Sequence, residues 1–332
     1  MESRMLENVS IVIPAFNAEK TIARTIQACL SQDYDHVKDI IVIDDGSTDK
    51  TGERVNAYAG VRYVRQENAG PARARNKGAA VAAGDVICFT DADCIPHKDW
   101  VRALLRHFAD PCVGAVMGSY GIANPQSWLA RAVYQEIIFR HRRMPLYPKA
   151  FGSYNVAIRK TAFNDVGGFN GEYLHASGED NDLSYRVLSH GYRIFFAKDA
   201  LVDHHHPETV KKYLREQYRH GFWRFKMYRA HPTMMTGDDY TFWKDPLEIV
   251  LLYCLMAGLL LGCWFTFPIR KLVVIILLII LNLEILFSIK FKCKNKYILK
   301  YSFVMILRAM VRAAGFAAGC VSTLLNRRFL SF

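Results

Sequence analysis

The feature that most constrains the fold is a series of short apolar runs, each followed by a cluster of polar residues. The runs VSIVI, DIIVI and DVICF are almost wholly apolar, which is typical of strands buried on both faces of a sheet. Segments with helical spacing of apolar residues lie between them, and this alternation predicts an α/β domain with a mostly parallel central sheet. The predicted strands are Val9–Ile13, Asp39–Ile43, Val61–Val64, Asp85–Phe89 and Val113–Tyr120, and the predicted helices are Ala18–Gln32, Thr48–Ala57, Pro71–Ala83 and His97–Phe108.

Polar clusters follow three of these strands, at Pro14–Asn17, Asp44–Asp49 and Asp91–Asp93. Because ligands of such sheets bind beyond the carboxyl ends of the strands, we expect the three clusters to meet in one crevice. The chain has no GxGxxG after its first strand and no GxxxxGK[ST]. This argues against a dinucleotide-dependent oxidoreductase and against a P-loop enzyme.

The third cluster, FTDADC, places two carboxylates on either side of a single alanine. Repulsion between Asp91 and Asp93 opposes folding unless a positive group lies between them. A divalent cation is one explanation, since hard cations take carboxylate oxygens. A solvated turn is the other, because aspartate is common after strands.

The positive charge of the chain is concentrated among apolar segments. The net charge is +12, and residues 270–332 hold eleven Lys and Arg against the single acid Glu284. Two runs, Leu247–Phe267 and Leu272–Ile289, are close to the length of about 20 residues that spans a bilayer. We therefore predict a membrane hairpin and contact with anionic lipid, and no nucleic-acid partner. A third run, Tyr301–Leu325, carries Arg308 and Arg312, which leaves spanning, re-entrant and interfacial placements open.

The segment Lys290–Lys300 contains five lysines, and by the positive-inside rule it is cytoplasmic. A hairpin before it places the N-terminal domain on the cytoplasmic side as well. The first residues, MESRMLEN, are too polar for a signal peptide. The eight cysteines show no CxxC spacing, which indicates packed thiols in a reducing compartment.

Five motifs occur in order between about Val9 and His206: VSIVIPAFNAEKTI, IIVIDDGSTDKT, NAGPARARNKG, GDVICFTDADC and EDNDLSYR. Together they resemble family 2 glycosyltransferases, which have the nucleotide-binding fold called GT-A. The resemblance implies an inverting, metal-dependent enzyme with Mg²⁺ or Mn²⁺ as cofactor. It also implies a nucleoside diphosphate sugar as donor, with UDP favoured over GDP.

The resemblance assigns nucleotide-binding roles to residues after the first three strands. Asp45 is favoured over Asp44 for the base contact, and a helix cap or Asx-turn is the alternative for this pair. Phe16 lies where an aromatic ring can stack on the base. Arg75 suits a phosphate, although a solvated helix face is the alternative. The full nucleotide-binding set is Pro14, Phe16, Asn17, Asp44, Asp45, Arg75 and Asp91.

The same resemblance turns FTDADC into a DxD motif. Asp93 is expected to hold the metal, and Asp91 is expected to contact the ribose or the same metal. The three histidines of His204–His206 cannot all reach one ion, because consecutive side chains of a strand alternate in direction. The resemblance favours His204 as the third ligand, and a surface or structural role is the alternative. Asn155, in GSYNVAIR, is expected to bind hydroxyls of the donor sugar.

The motif GEDND supplies the predicted catalytic acids. Asp180 is expected to act as general base towards the acceptor hydroxyl, and Glu179 is expected to orient the acceptor or the donor sugar. The alternative is that these acids only stabilise a helix N-terminus. Gln217 and Trp223 are expected near the acceptor, as a partial replacement for the QxxRW motif of processive synthases. The incomplete motif argues against a processive polysaccharide synthase.

The sequence therefore predicts three parts: a GT-A catalytic domain over 1–206, an amphipathic interfacial helix and linker over 207–246, and membrane helices at about 247–267, 272–289 and 301–325. Ser127–Arg143 is a second amphipathic segment expected near the acceptor. The predicted function is sugar transfer to a lipid-linked oligosaccharide or glycolipid at the cytoplasmic membrane face. A polyprenyl-phosphate sugar synthase and an inactive nucleotide-binding membrane module are the alternatives.

Overall fold

A computed structural model of the chain describes residues 7–236, 239, 244–262, 268–290 and 297–325. Its strands are β1 Val9–Ala15, β2 Val37–Asp44, β3 Val61–Arg65, β4 Val86–Thr90, β5 Cys94–Pro96, β6 Val113–Ile122, β7 Asn155–Arg159 and β8 Arg193–His204. Its α-helices are α1 Ile22–Leu30, α2 Thr51–Asn56, α3 Pro71–Val81, α4 Trp100–Leu105, α5 Trp128–His141, α6 Lys160–Asp165, α7 Glu179–Ser189, α8 Val210–Ala230, α9 Lys244–Gly262, α10 Pro268–Lys290 and α11 Ile298–Leu324. Two 3₁₀ turns lie at Arg106–Ala109 and Pro232–Thr236.

The eight strands form one sheet in the order β3-β2-β1-β4-β7-β6-β8-β5. Strands β3, β2, β1 and β4 are parallel to one another, as the alternation of strand and helix predicts. Strand β7 runs antiparallel to both of its neighbours, β4 and β6. The α/β class and the mostly parallel sheet are thus confirmed, with an antiparallel strand inserted at the centre.

The sheet brings the end of β8 back to the DAD turn. Strand β5 begins directly after Asp93 and pairs antiparallel with β8, so that Cys94 lies opposite His204. The amide of His205 also donates to the carbonyl of Asp93, at 3.1 Å. This register fixes His204 beside the turn.

The chain divides into two compact units. The first comprises Met1–Asn124 and His141–His206, and the second comprises Pro125–Arg140 and Pro207–Phe332. Helix α5 lies almost wholly in the second unit, although it interrupts the sequence of the first. The core of the first unit packs the parallel strands against α1 and α4, with Trp100 and Ile26 fully buried.

In the second unit, α5 packs with α8, α10 and α11. Leu129 of α5, Tyr213 of α8, Phe287 of α10 and Met305 of α11 share one buried cluster. Burial of apolar area contributes about 25 cal/mol per Å² to the free energy of unfolding, so clusters of this kind are the main source of stability in such a unit.

A buried ionic network links α5 to α11 within this unit. The carboxylate of Glu136 accepts hydrogen bonds from Arg308, from Arg140 and from the hydroxyl of Tyr301, at 2.5–3.0 Å. Asp245 lies 3.4 Å from Arg140 and 3.7 Å from Arg308. Removing one member of such a network would leave an unpaired buried charge, which is strongly destabilising.

Glycines bring α8 and α11 into backbone contact. A Cβ atom on Gly221 of α8 would lie under 3.0 Å from the carbonyl oxygen of Arg312. On α11, the same close approach holds for Gly315 against Tyr218 and for Gly319 against Phe222. The spacing GFAAG is the small-residue pattern that lets two helices approach closely.

The apolar runs form helices, with bounds that differ from those predicted from the sequence. Helix α10 begins at Pro268, at the position where proline is favoured. The four residues 268–271 that separate the two predicted spans are therefore helical. The end of the first run, 263–267, lies outside the described residues. Within the described part of the chain, α11 is the helix that by length and composition could cross a membrane.

Candidate active site

Asp93 and His204 face each other beside the DAD turn. The Oδ1 atom of Asp93 lies 3.6 Å from Nε2 of His204, and both side chains are partly exposed. Cys94 also has its sulfur within 4.8 Å of these groups. Burial raises the pKa of the Cys94 thiol well above its usual value, so the thiol is protonated while no metal is bound. Its soft sulfur is also a poor ligand for a hard cation.

Behind His204 lies a group of rings made of His206, from the triple histidine of the sequence, and two tyrosines that were not predicted to lie there. Nδ1 of His206 is 3.2 Å from Nδ1 of His204, so one of the two nitrogens carries the shared proton. Burial, and then the neighbouring His204, lower the pKa of His206 to about 3, which keeps it neutral. Tyr120 stacks on Tyr154 at 3.7 Å, and both rings contact His204 by their edges. From sequence alone, aromatic residues within apolar segments are predicted to be core residues, so the contact of these tyrosines with His204 was not predicted.

Arg75 connects the DAD turn to the GEDND motif. Its guanidinium donates to Oδ1 of Asp91 at 2.8 Å and to Oε1 of Glu179 at 3.0 Å. Only 2% of the side chain is exposed. Burial acts to lower the pKa of Arg75, but Asp91 and Glu179 outweigh it and raise the pKa above its usual value. The expected phosphate contact of Arg75 is thus corrected to a buried bridge between two carboxylates.

Glu179 and Asp180 open α7, where Gly178 enters the helix with a φ of 92°. Oε2 of Glu179 accepts from the amide of Ser177 at 2.6 Å. Burial, and then the charge of Asp180, raise the pKa of Glu179 to about 7. Burial also raises the pKa of Asp180, although the backbone amide of Asn181, 2.8 Å from Oδ1, opposes this. Raised carboxylate pKa values suit proton transfer near neutral pH.

Asp45 ties the end of β2 to the start of α3. Its Oδ1 accepts from Gln66 and from the amide of Ala69, and its Oδ2 accepts from the amide of Gly70, at 2.7–2.9 Å. These bonds leave Oδ2 with remaining acceptor capacity, so a base contact stays compatible with the geometry.

Asp44 takes the turn role that the sequence offered as the alternative. Oδ1 accepts from the amide of Ser47 at 2.8 Å, and Oδ2 accepts from the hydroxyl of Tyr63 at 2.5 Å. Burial of Tyr63, and then this bond, raise its pKa to about 12. Both oxygens of Asp44 are therefore engaged inside the fold, and its side chain is 1% exposed, which argues against a nucleotide contact.

The loop after β1 carries Phe16 with half of its ring exposed, as a stacking residue requires. Asn17 has a φ of 50° and joins this loop to the next one: its amide donates to Ser47, and its Oδ1 accepts from Thr48. Pro14 is buried inside β1 opposite Ile43. Asn17 and Pro14 thus shape the loop, and Pro14 has almost no surface to offer a nucleotide.

Asn155 was expected to bind the donor sugar, and the structure corrects this. The side chain is 1% exposed. Its amide donates to the carbonyls of Ser119 and Ala200, and its Oδ1 accepts from the indole of Trp100, at 2.7–2.9 Å. With these bonds made, Asn155 joins strands of the core and has no group free for a ligand.

Gln217 and Trp223 lie in the second unit, on α8. Gln217 is buried and accepts from Arg312 at 2.9 Å. Trp223 is also buried, with Lys226 over its ring at 5.2 Å. Their expected role towards the acceptor stays a prediction.

The chain matches two family models over its first unit and the start of the second. Residues 10–167 match glycosyl transferase family 2, and residues 137–212 match the N-terminal domain of galactosyltransferase. This chain carries a family 2 glycosyltransferase domain.

Curated relatives of this domain are glycosyltransferases. The chain is 30% identical over 224 residues to the pre-mycofactocin glycosyltransferase of Mycobacterium tuberculosis, covering 64% of this chain and 46% of that protein. It is 33% identical over 235 residues to the probable glycosyltransferase YdaM of Bacillus subtilis, covering 64% of this chain and 54% of that protein. The chain thus spans about half the length of these relatives.

A solved structure shows the same fold over nearly the whole chain. It is the mannosyltransferase PcManGT from Pyrobaculum calidifontis in complex with GDP-Man and Mn²⁺. The TM-score is 0.66 at 19% identity, and the match covers 97% of this chain and 88% of that one. The fold of the family 2 domain is therefore GT-A, as its motifs imply.

The donor set of this family 2 domain fits a divalent cation. Asp93 offers a carboxylate and His204 an imidazole nitrogen, and Asp91 keeps 30% of its side chain exposed beside them. Oxygen and imidazole donors of this kind suit Mg²⁺ and Mn²⁺, whereas the protonated Cys94 thiol does not.

Proposed function

We propose that this chain transfers a sugar, with inversion, from a nucleoside diphosphate sugar to a lipid-linked acceptor. One observation carries the proposal: Arg75 bridges Asp91 of the DAD turn and Glu179, the neighbour of Asp180. The residues that would face the diphosphate and the residue that would face the acceptor are thereby held in one buried network.

Asp180 supplies the base. It takes the proton from the acceptor hydroxyl while the acceptor oxygen bonds to the anomeric carbon. The bond from that carbon to the diphosphate oxygen breaks with its electron pair, and the nucleoside diphosphate leaves from the opposite face. The raised pKa of Asp180 strengthens it as a base.

Asp93 and His204, with Asp91, are the residues that would hold Mg²⁺ or Mn²⁺. Held there, the cation would supply positive charge against the negative charge that develops on the leaving diphosphate. Stacking on Phe16 and the remaining lone pair of Asp45 would position the base. The solved mannosyltransferase holds GDP-Man, whereas the resemblance of the sequence motifs favours UDP. A comparison of UDP and GDP binding would decide between the two bases.

A membrane location supports a lipid acceptor. Helix α10 exposes a row of large apolar side chains that water does not favour: Val274, Ile275, Leu277, Leu278, Ile279, Leu281, Leu286 and Ile289. Contiguous apolar surfaces of this size mark interaction with lipid or protein. The lysines of Lys290–Lys300 favour the cytoplasmic face for the catalytic unit.

The test replaces the base and compares it with a structural acid of the same helix. We expect Asp180→Asn to lower kcat by about 10²–10⁴-fold with nucleotide affinity unchanged. Asp182 forms an ion pair with Arg186 at 2.8 Å, so Asp182→Asn should lower Tm and leave kcat within a few-fold. The readouts are sugar transfer to a membrane lipid extract and the Tm with UDP or GDP, with Mn²⁺ or EDTA.

The outcomes separate the alternatives. Near-normal turnover by Asp180→Asn would indicate an acceptor that is already ionised, such as a polyprenyl phosphate, and overturn the base assignment. Tight nucleotide binding without transfer of any donor would indicate an inactive binding module.

A further inference from the structure

Arg312 of α11 has an unusual environment for a charge on an apolar helix. It is half-buried, and its Nε donates to Oε1 of Gln217 at 2.9 Å. Among the described residues, no carboxylate pairs with it within 4.0 Å. Arg308, one turn earlier, is fully paired with Glu136. Arg312 is therefore a cation that the fold itself does not neutralise.

Two more basic groups lie beside it on α8. His220 and Arg224 are four residues apart and share a face of that helix. Arg312 and Arg224 both lie close enough to act electrostatically on the ring of His220. The ring of His220 keeps solvent exposure, so the group is reachable from outside.

The glycine contacts enforce this arrangement. Because Gly221 lies against the backbone of Arg312, the two helices hold these basic groups close together. Gln217 accepts from Arg312 through its oxygen, which leaves its amide hydrogens as donors. Basic groups held close together repel one another while no anion is bound. A bound anion relieves this repulsion and accepts hydrogen bonds from the donors.

We propose that Arg312, Gln217, His220 and Arg224 form a binding site for the phosphate or diphosphate headgroup of a lipid. A guanidinium fork suits phosphate oxygens, and the imidazole of His220 lies beside it. Reading this lipid as the sugar acceptor rests on the proposed function; the anion site itself does not.

A lipid is favoured over a free anion because α11 is, within the described part of the chain, the helix whose length and composition would let it cross a membrane. A charged residue on such a helix that faces protein and not lipid is typically functional.

The experiment measures the Tm of the full chain in detergent with EDTA, titrated with geranylgeranyl diphosphate, geranylgeraniol or inorganic diphosphate. We expect the lipid diphosphate to raise Tm and the alcohol to have little effect. Arg312→Gln should weaken the lipid diphosphate by about tenfold or more, the loss of one charged hydrogen bond. Arg215→Gln, an exposed arginine of α8, is the matched control and should bind as the parent does.

A fold defect is distinguished by the Tm without ligand. Since Arg312→Gln removes an unneutralised cation, its Tm should equal or exceed that of the parent; a clear fall would mean that Arg312 is structural and overturn the site. Equal lipid binding by Arg312→Gln would also overturn it. Inorganic diphosphate binding as tightly as the lipid would overturn the lipid assignment.

Failure of the proposed function gives a different pattern. If lipid binding depends on Arg312 but no donor sugar is transferred, the proposed enzymatic function is wrong and the anion site stands. If sugar transfer depends on Asp180 but lipid binding does not depend on Arg312, the anion site is wrong and the proposed function stands.

Discussion

Arg75 shows how one side chain can hold two parts of a site in register. Its planar fork reaches Asp91 with one nitrogen and Glu179 with another, which a lysine could not do with a single ammonium. The network is buried, so its members depend on each other more than an exposed pair would. A mutation at Arg75 should therefore act on stability as well as on catalysis.

We expect Arg75→Met to destabilise the protein by about 3–5 kcal/mol, because it leaves the buried carboxylate of Glu179, and the partly exposed carboxylate of Asp91, without their cation. Urea unfolding followed by fluorescence measures this. Arg73 is exposed two residues earlier, and Arg73→Met should change stability by less than about 0.5 kcal/mol. Equal effects of the two variants would show that the bridge does not contribute to stability.

Glu179 should make stability depend on pH in a defined direction. Folding raises its pKa from the ordinary 4.5 to about 7, so between these values the folded state holds more protons than the unfolded state. The contribution of Glu179 to the free energy of unfolding therefore falls as pH rises through that window. We expect the Tm difference between the parent and Glu179→Gln to change with pH between about 4.5 and 7 and to be flat above it. A difference independent of pH would contradict the raised pKa.

Single residues also show what sequence can and cannot specify. His204 was expected beside Asp93 and lies there, because the motif order fixes which strand ends meet. Asn155 and Asp44 were predicted to contact the donor because they are polar residues within the motifs. In the structure, their side chains form hydrogen bonds within the fold instead. Whether a polar group faces a ligand or a neighbour depends on contacts far apart in the chain, which no short motif contains.

At the scale of elements, the close pair α8 and α11 depends on residues that have no side chain. We expect Gly221→Ala to lower Tm clearly, because its Cβ would meet the carbonyl of Arg312 at under 3.0 Å and push the helices apart. Ala314 is exposed on α11, and Ala314→Leu adds more volume without such a contact, so its Tm should stay near that of the parent. A Gly221→Ala protein as stable as the parent would mean that the helices adjust freely.

Strong periodic elements were predictable, and short ones were not. The parallel strands and α1 to α4 follow from apolar runs and helical spacing. Strand β5 has only three residues, too few for a periodic signal, and both β5 and β7 pair with strands that are distant in sequence. The spacing of Gly315 and Gly319 was present in the sequence and could have predicted a tight helix pair.

At the scale of the whole molecule, the exposed apolar side chains of α10 support the proposed membrane location. Because that location would embed the helices rather than hold them by charge, we expect the protein to stay with the membrane pellet after an alkaline carbonate wash. Fractions probed by immunoblot give the answer, with a peripheral membrane protein as control. Release into the supernatant would contradict an integral location and leave surface adsorption through the basic residues.

The placement of α5 has a consequence for how the protein is made. A ribosome completes α5 at His141 and does not reach α11 until Ile298, a delay of roughly ten to thirty seconds at about 5–20 residues per second. Throughout this interval Glu136 lacks Arg308, and Leu129 lacks the cluster that buries it. The nascent chain must therefore carry an unsatisfied helix between the two segments of its first unit, which makes protection of this apolar surface part of its folding.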